Sequence, residues 1–177
     1  MLLFTLILCT TVMWILIFVF LALFITSANP STQCDLANGW SQFNSNCYKL
    51  EADLTWAEAR ADCVNQGGDL ISITDPFEQS FIHGMLIPTG ISLWMGGHDS
   101  VTEGGWEWTD GSPFRYIRWN AGNPDNHNDE DCLSILINNG YWNDDNCDFN
   151  RGYICKRRGK MCSMHCYCHH LEMENNF

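Results

Sequence analysis

The pattern of hydrophobic and polar residues predicts two helices. The first begins at a capping box, in which Thr55 is followed three residues later by Glu58, and the glycines at positions 67–68 end it. The second begins at Asp75-Pro76, an N-cap residue followed by proline at the first helical position. Its predicted apolar face has helical spacing and consists of Phe77, Phe81, Ile82 and Met85.

Short strands are predicted for the rest of the chain after the N-terminal segment. Apolar runs bounded by turn residues lie at 43–50, 70–73, 91–95, 106–108, 134–137, 141–142 and 153–156. The tripeptide Asn138-Asn139-Gly140 separates two of these runs and is typical of a hairpin turn. Two helices together with many short strands indicate an α+β fold.

The N-terminal segment has a different composition, because residues 2–25 contain no charge and are mostly Leu, Ile, Phe and Val. We favour a secretory signal peptide covering residues 1–28, since Thr26-Ser27-Ala28 supplies small residues before a cleavage site. The alternative is a retained signal anchor, which needs about 20 apolar residues. No Lys or Arg precedes the run to orient such an anchor. Both interpretations deliver the following domain to an oxidising compartment.

Cysteine content and charge agree with an extracellular domain. The chain has 10 cysteines, and all except Cys9 follow the apolar run. Such a density is typical of a secreted domain held by disulfides. The formal net charge is −12, with 21 acidic and 9 basic residues. This balance argues against nucleic acid and anionic membranes as partners, since both require positive charge.

The acidic residues are concentrated between Arg118 and Arg151, where the sequence has no Lys or Arg. The acidic residues of this stretch are Asp125, Asp129, Glu130, Asp131, Asp144, Asp145 and Asp148, and its amides include Asn123, Asn126, Asn128, Asn143 and Asn146. Apolar residues such as Leu133 and Trp142 are interspersed, which argues against a disordered acidic tail. The pattern indicates acidic loops on strands, and it suits a hard-cation site built from oxygen ligands.

Six short motifs follow one another along the chain. They are Gly39-Trp40, Leu93-Trp94-Met95-Gly96-Gly97, Trp106-x-Trp108, Glu130-Asp131-Cys132, Trp142-Asn143-Asp144-x-x-Cys147 and Gly152-Tyr153-Ile154-Cys155. In this order they resemble the C-type lectin-like domain, over about Cys34 to Lys156. The resemblance implies a long-form carbohydrate-recognition domain at 34–157, of the secreted single-domain type. Its expected fold has two helices, short antiparallel strands and a long calcium-binding loop region.

The resemblance also implies three disulfides. They are Cys34–Cys47, Cys63–Cys155 and Cys132–Cys147. The first of these is the additional N-terminal bridge of long-form members. Cysteine spacing alone leaves fifteen pairings open for six cysteines, so the pairing rests on the family.

A calcium and sugar site is implied next. The expected calcium ligands are Asn123, Asp125, Glu130, Asn143 and Asp144, around a cis peptide bond at Pro124. Calcium prefers six to eight oxygen ligands, which carboxylates and amides supply. The same five residues and His127 are expected to bind the sugar, whose vicinal hydroxyls would bridge the ion and the side chains.

A second family calcium site would have a structural role and order the loops. Its expected ligands are Asp99, Glu103, Asn126, Glu130 and Asp131. Several family members carry an acid where this chain has Asn126, which lowers the negative charge of the set.

The sugar preference is interpreted from Asn123-Pro124-Asp125. Mannose-type members usually have Glu-Pro-Asn and galactose-type members Gln-Pro-Asp, so this chain has the galactose-type order of amide before acid. Asn is one methylene shorter than Gln, and His127 lies near the place of an aromatic ring that stacks on galactose. We expect galactose-type glycans to be preferred over mannose-type glycans, and binding of mannose or fucose is left open.

The tail, residues 158–177, is expected to be disordered. It contains three cysteines and three histidines, among them Cys162, Cys166, Cys168, His169 and His170. Two functions are considered for these cysteines, a disulfide-linked homo-oligomer and a zinc site. The spacing matches no familiar zinc module, and thiols in an oxidising compartment favour disulfides.

An enzyme is not expected. The sequence lacks Gly-x-Ser-x-Gly, His-Glu-x-x-His and a phosphate-binding glycine loop. The expected function is a secreted calcium-dependent lectin, with a role in glycan or pathogen recognition in innate immunity. The alternatives are the same scaffold binding mineral, ice or protein, and a type II membrane receptor that retains the N-terminal segment.

Overall fold

The computed structural model describes residues 31–86 and 92–162. The segment 1–28, interpreted as a signal peptide, lies outside the described residues, as do Ile91 and the tail residues Cys166, Cys168, His169 and His170. Residues 32–160 form one compact unit. Neither α-helix of the described part is long and apolar enough to cross a membrane.

The first helix, α1 (Trp56–Asn65), begins where the sequence predicts. The Glu58 carboxylate accepts hydrogen bonds from the Thr55 backbone N–H at 3.2 Å and from the Thr55 hydroxyl at 2.7 Å. These bonds satisfy an exposed donor at the helix start and hold the pKa of Glu58 below its usual range. The capping-box prediction is confirmed.

The second helix, α2 (Pro76–Leu86), has a different buried face from the predicted one. Phe77 is 78% exposed, so its assignment to the apolar face was wrong. The buried positions include two polar residues, Glu78 and Gln79, beside Ile82 and Leu86. Both polar side chains find partners inside the fold, which removes the usual penalty for burying them.

The strands are mostly short. They are β1 (Ser31–Gln33), β2 (Ser41–Phe43), β3 (Asn46–Leu54), β4 (Asp69–Leu70), β5 (Leu93–His98), β6 (Glu107–Trp108), β7 (Cys132–Ile135), β8 (Trp142–Asp145), β9 (Arg151–Arg158) and β10 (Lys160–Cys162). A short 3₁₀ turn covers Leu36–Asn38. The predicted run 43–50 is split between β2 and β3, because Asn44 turns the chain with a φ of 52°. β10 and the end of β9 lie in the segment 158–177 that was expected to be disordered.

The main sheet has the order β2-β3-β9-β5-β7-β8, with β4 added to β9 and β6 added to β5. β1 and β10 form a separate two-stranded sheet. Most pairs are antiparallel, as expected, but β5 runs parallel to β9 through Leu93 opposite Gly152 and Trp94 opposite Tyr153. The expected α+β class, with two helices and short strands, is therefore confirmed, with a mixed sheet in place of a purely antiparallel one.

The glycines at 96–97 lie inside β5, whereas the sequence placed them at its end. A side chain at Gly96 would bring its first carbon within 2.8 Å of the Leu70 carbonyl oxygen. At Gly97 the same atom would come within 2.9 Å of the Leu133 side chain. Close packing at this central strand therefore requires glycine, and the glycines do not terminate it.

All three expected disulfides are present, Cys34–Cys47, Cys63–Cys155 and Cys132–Cys147. Cys63 and Cys155 are 92 residues apart in sequence and join α1 to β9. In the chain-entropy model, closing a loop of that length stabilises the fold by roughly 4–5 kcal/mol. This bridge ties α1 to the central part of the sheet.

A buried polar cluster connects β3, α2 and β9. The Tyr48 hydroxyl donates to Glu78 Oε1 at 2.6 Å, and Lys156 Nζ lies 2.6 Å from the same oxygen. Lys156 also donates to the Ser72 carbonyl oxygen at 2.8 Å. Burial, with the hydrogen bond to Glu78 and its charge, raises the pKa of the Tyr48 hydroxyl well above its ordinary 10.0.

We expect Tyr48→Phe to lower the free energy of unfolding by about 1–2 kcal/mol at neutral pH, because Glu78 loses a donor but keeps Lys156. The raised pKa means that this stabilisation is complete below pH 10 and declines above it, where the unfolded tyrosine loses its proton and the folded one does not. Urea unfolding between neutral and alkaline pH measures both effects.

Tyr141→Phe is the matched control, because the Tyr141 ring is 39% exposed and its contact with Arg118 needs no hydroxyl. It should change stability little at any of these pH values. A difference between wild type and Tyr48→Phe that stays constant above pH 10 would contradict the raised pKa.

Candidate functional site

The candidate site is built from β8 and the loop that precedes β7. β7 and β8 pair antiparallel, with Leu133 opposite Asp144 and Ser134 opposite Asn143. The Cys132–Cys147 disulfide joins the start of β7 to the residues just after β8. This pairing holds Asn143 and Asp144 on a rigid strand, while the loop before β7 supplies the remaining residues.

Three predicted carboxylates come together in this region. Asp125, Glu130 and Asp144 each offer an oxygen, and these three oxygens lie within 4.8 Å of one another. Asp144 is buried, Glu130 half-buried and Asp125 exposed. Burial raises the pKa of Glu130, and the charges of Asp144, Asp145 and Asp125 add to the rise. Like charges at this separation repel one another, and a divalent cation would relieve that repulsion.

The two oxygens of Asp144 have different surroundings. Oδ2 accepts hydrogen bonds from the backbone N–H groups of Asp125 and Asn126, both at 2.7 Å. Oδ1 is buried and has no hydrogen-bond donor within the described part of the chain. A buried carboxylate oxygen without a partner is costly. Coordination of a cation would satisfy it, so the residues present fit a calcium ion.

The predicted amides lie beside these acids. The Asn123–Pro124 peptide bond is cis, as expected for Pro124. The Asn123 side-chain amide donates to Asn143 Oδ1, and the Asn143 amide donates to the Asp144 carbonyl oxygen. An amide offers both an oxygen acceptor and NH₂ donors. Asn123 and Asn143 therefore could supply neutral oxygen ligands and still donate to a bound hydroxyl.

The loop between Pro124 and Asp131 is shaped by residues with positive φ. Asn126, Asn128 and Asp129 have φ values of 49°, 61° and 67°, a conformation that Asn and Asp tolerate better than most residues. Asn126 Oδ1 accepts the Glu130 backbone N–H at 2.8 Å, which fixes Glu130 towards the cluster. His127 is exposed, and its backbone N–H donates to Asp125 Oδ1 at 3.1 Å.

The residues of the second predicted calcium site do not form a compact cluster. Asp99 is buried, with Oδ2 accepting the Gly104 N–H at 2.9 Å and Oδ1 lacking a donor among the described residues. Burial raises the pKa of Asp99, and the charges of Glu103 and Asp131 contribute. Glu103 and Asn126 are exposed. Across residues 31–86 and 92–162, these acids do not add a second three-acid cluster.

Several aromatic residues near the site belong to the core, as the sequence indicated. Trp108 and Trp142 are buried in one core cluster, against which Trp106 and Trp119 pack, and Trp94 is buried in a second cluster. Trp142 donates through Nε1 to Gln79 Oε1 at 2.9 Å and so links β8 to α2.

Two contacts near the site were missed by the sequence analysis. Asp145 is buried and forms an ion pair with Arg151 at 2.6 Å, so it is a structural acid within the acidic stretch. The Arg118 guanidinium carbon lies 4.4 Å from the centre of the Tyr141 ring. Neither contact has a local sequence signal, because each depends on how distant segments are brought together.

The sequence profile of the lectin C-type domain matches residues 52–157. The chain is 37% identical over 131 residues to C-type mannose receptor 2 of Mus musculus, which covers 72% of this chain and 9% of the receptor. It is 36% identical over 124 residues to the galactose-specific lectin nattectin of Thalassophryne nattereri. That match covers 67% of this chain and 78% of nattectin.

Solved structures agree with these relatives. The carbohydrate-recognition domain of the mouse scavenger receptor C-type lectin aligns with a TM-score of 0.68 and 32% identity. It covers 73% of this chain and 100% of the domain. A calcium-independent type II antifreeze protein aligns with a TM-score of 0.67 and 30% identity. The alignment covers 73% of this chain and 98% of the antifreeze protein.

These matches agree with the sheet order, the three disulfides and the acidic loop described above. The family is one of carbohydrate-binding domains that typically bind calcium, although some members do not. The chain belongs to the C-type lectin domain family.

Proposed function

We propose that this chain is a calcium-dependent carbohydrate-binding lectin with a preference for galactose-type glycans. The observation that carries the proposal is the buried Asp144 Oδ1, which has no donor among the described residues and lies in a cluster with Asp125 and Glu130. A cavity or groove is not needed for this function, because a sugar can bind to an exposed ion through two hydroxyls.

Bound calcium would supply a Lewis-acidic centre that holds two sugar hydroxyls. The protein residues do the rest of the recognition. Asp144 would hold the ion through Oδ1, Asp125 and Glu130 accept hydrogen bonds from those hydroxyls, and the Asn123 and Asn143 amides donate to them. With three carboxylates against a divalent ion, the site keeps a net negative charge that favours the neutral, hydroxyl-rich ligand over an anion placed directly on the metal.

The preference for galactose is supported by the order of Asn123 and Asp125. The amide precedes the acid, and this arrangement sets which sugar hydroxyl meets a donor and which meets an acceptor. Nattectin, a relative named as galactose-specific, has 36% identity to this chain. His127 is exposed next to Asp125 and is available to contact the sugar ring.

Secretion and assembly are further parts of the proposal. Secretion is supported by the apolar N-terminal segment, residues 1–28, which ends in small residues as a signal peptide does. It is also supported by the three disulfides, because disulfides form in oxidising compartments. A disulfide-linked homo-oligomer through Cys162, Cys166 or Cys168 would bring several weak sugar sites together and raise avidity.

Replacing Asp144 by Asn should have opposite effects on stability with and without calcium. In chelator, Asp144→Asn removes one charge from the repelling cluster, so we expect the melting temperature to rise by a few degrees, about 1 kcal/mol. In calcium, the wild type should gain stability by binding the ion, and the variant should gain much less. Thermal unfolding in calcium and in chelator measures these shifts.

Asp148→Asn is the matched control, because Asp148 is exposed in the same acidic stretch and lies outside the cluster. It should respond to calcium as the wild type does. The same samples, applied to immobilised galactose, should be retained in calcium and released by chelator, except for Asp144→Asn. If wild type is stabilised by calcium but not retained by immobilised galactose, the proposed galactose binding is excluded while the calcium site remains.

The double substitution Asn123→Glu and Asp125→Asn tests the sugar preference. It restores the acid-before-amide order of mannose-type members, so we expect binding to mannose to rise relative to galactose by roughly tenfold, or 1.4 kcal/mol. The net charge of the site is unchanged, so calcium binding should persist. Binding of both sugars in calcium, measured by calorimetry, separates a change of preference from a loss of the ion.

A matched substitution is His127→Ala, which removes the neighbouring ring and leaves the order of amide and acid unchanged. It should weaken sugar binding modestly without reversing the preference. If the double substitution leaves galactose preferred, the order of Asn123 and Asp125 does not determine specificity.

A further inference from the structure

Arg118 and Tyr141 form a partly exposed pair beside the start of β8. The guanidinium carbon of Arg118 lies 4.4 Å from the centre of the Tyr141 ring. Tyr141 is 39% exposed, and Arg118 is half-buried. A guanidinium stacked on an aromatic ring is held in place by cation–π attraction and keeps its outer N–H groups available to a ligand.

Backbone hydrogen bonds place this pair beside the start of β8, the strand that carries Asn143 and Asp144. The Trp142 N–H donates to the Arg118 carbonyl oxygen, and the Asn120 N–H donates to the Trp142 carbonyl oxygen, both at 2.8 Å. Trp119 and Trp142 form a parallel bridge and pack towards the core. Because side chains alternate along extended chains, Tyr141 and Asn143 share the opposite face.

The spacing suits a ligand longer than one sugar. Tyr141 directly precedes β8, and two residues of extended chain span roughly 7 Å, so Tyr141 lies about that far from Asn143. Asn143 in turn contacts Asn123, across the proposed calcium site. A sugar held at the calcium site would therefore have its neighbouring substituent within reach of the Arg118–Tyr141 pair.

The charge of Arg118 is not neutralised by the protein. Within residues 31–86 and 92–162, Arg118 forms no ion pair, whereas Arg151, the next basic residue in sequence, pairs with Asp145. The Nε atom of Arg118 is also buried without an acceptor in this part of the chain. A cation without a carboxylate, beside a strongly acidic loop, favours an acceptor that arrives with the ligand.

We propose that Arg118 and Tyr141 form a second subsite that binds an anionic group, a sulfate or a carboxylate, on a galactose-containing glycan. The proposal rests on the proposed function, because the calcium site would hold the neighbouring galactose. Arg118 donates to the anionic oxygens, and the Tyr141 ring packs on the apolar face of the adjoining sugar. The acids around the calcium site repel such a group elsewhere, so Arg118 fixes the direction in which the glycan extends.

The experiment compares three soluble glycans by calorimetry in calcium and at low salt. They are lactose, lactose with a sulfate on the galactose 6-position, and lactose with a sialic acid linked to that position. These probes leave the galactose 3- and 4-hydroxyls free for the calcium site. We expect the wild-type chain to bind one or both acidic probes roughly three- to tenfold more tightly than lactose, and the difference to shrink at high salt.

Arg118→Gln should reduce the affinity for the acidic probes to that for lactose and leave lactose binding unchanged. Arg115→Gln is the matched control, because Arg115 is an exposed arginine of the same segment, and it should keep the preference. Melting temperatures in calcium show whether each variant remains folded. Tighter binding of only the sulfated or only the sialylated probe supports the subsite and identifies the anionic group.

Two results would overturn the subsite and leave the calcium site intact. One is equal wild-type affinity for all three probes, and the other is an Arg118→Gln variant that keeps the full preference for acidic probes. Loss of lactose binding by a folded Arg118→Gln variant would also contradict the proposal, since it places Arg118 in the primary site. If the wild type binds none of the three glycans in calcium, both the proposed function and the subsite fail.

Discussion

The burial of Trp142 is the constraint on which the geometry of the site depends. Its ring is fully buried and lies against several other aromatic rings of the core, while its indole N–H donates to Gln79 on α2. Because this side chain is fixed, the residues that follow it on β8 have fixed directions too. Asn143 and Asp144 are therefore positioned by core packing, although they act at the surface.

Around this rigid strand the acidic groups fall into two kinds. Asp145 and Glu78 are buried and compensated, the first by Arg151 and the second by Lys156. Asp144 is buried and has backbone donors at only one of its oxygens. Compensated acids stabilise the fold, whereas an acid left without a partner in a cluster of like charges is typical of a binding site. All three acids are buried, so burial does not distinguish a structural acid from a binding acid. The presence or absence of a basic partner does.

The sequence was sufficient for the fold class, the helix starts, the three disulfides and the cis peptide bond at Pro124. Local signals such as the Thr55–Glu58 box and the family motifs carried those predictions. The prediction that Phe77 lies on the buried face of α2 was wrong. Helical spacing could not show that Glu78 and Gln79 have partners inside the fold and are buried instead. The sequence analysis also missed the Arg118–Tyr141 contact, which depends on the bridge between Trp119 and Trp142. Pairings between distant segments are the part that one sequence does not reveal.

β8 is the last strand in the order of the main sheet, and this position has a consequence for aggregation. An exposed sheet edge can add a strand from another molecule, and a loop that covers the edge prevents such addition. The segment around Arg118 and Asn120 bonds the backbone of Trp142 and covers the beginning of β8, and the loop at Asp125 and Asn126 bonds the Asp144 side chain further along. The loop that builds the site thus also helps to keep neighbouring molecules from joining their sheets.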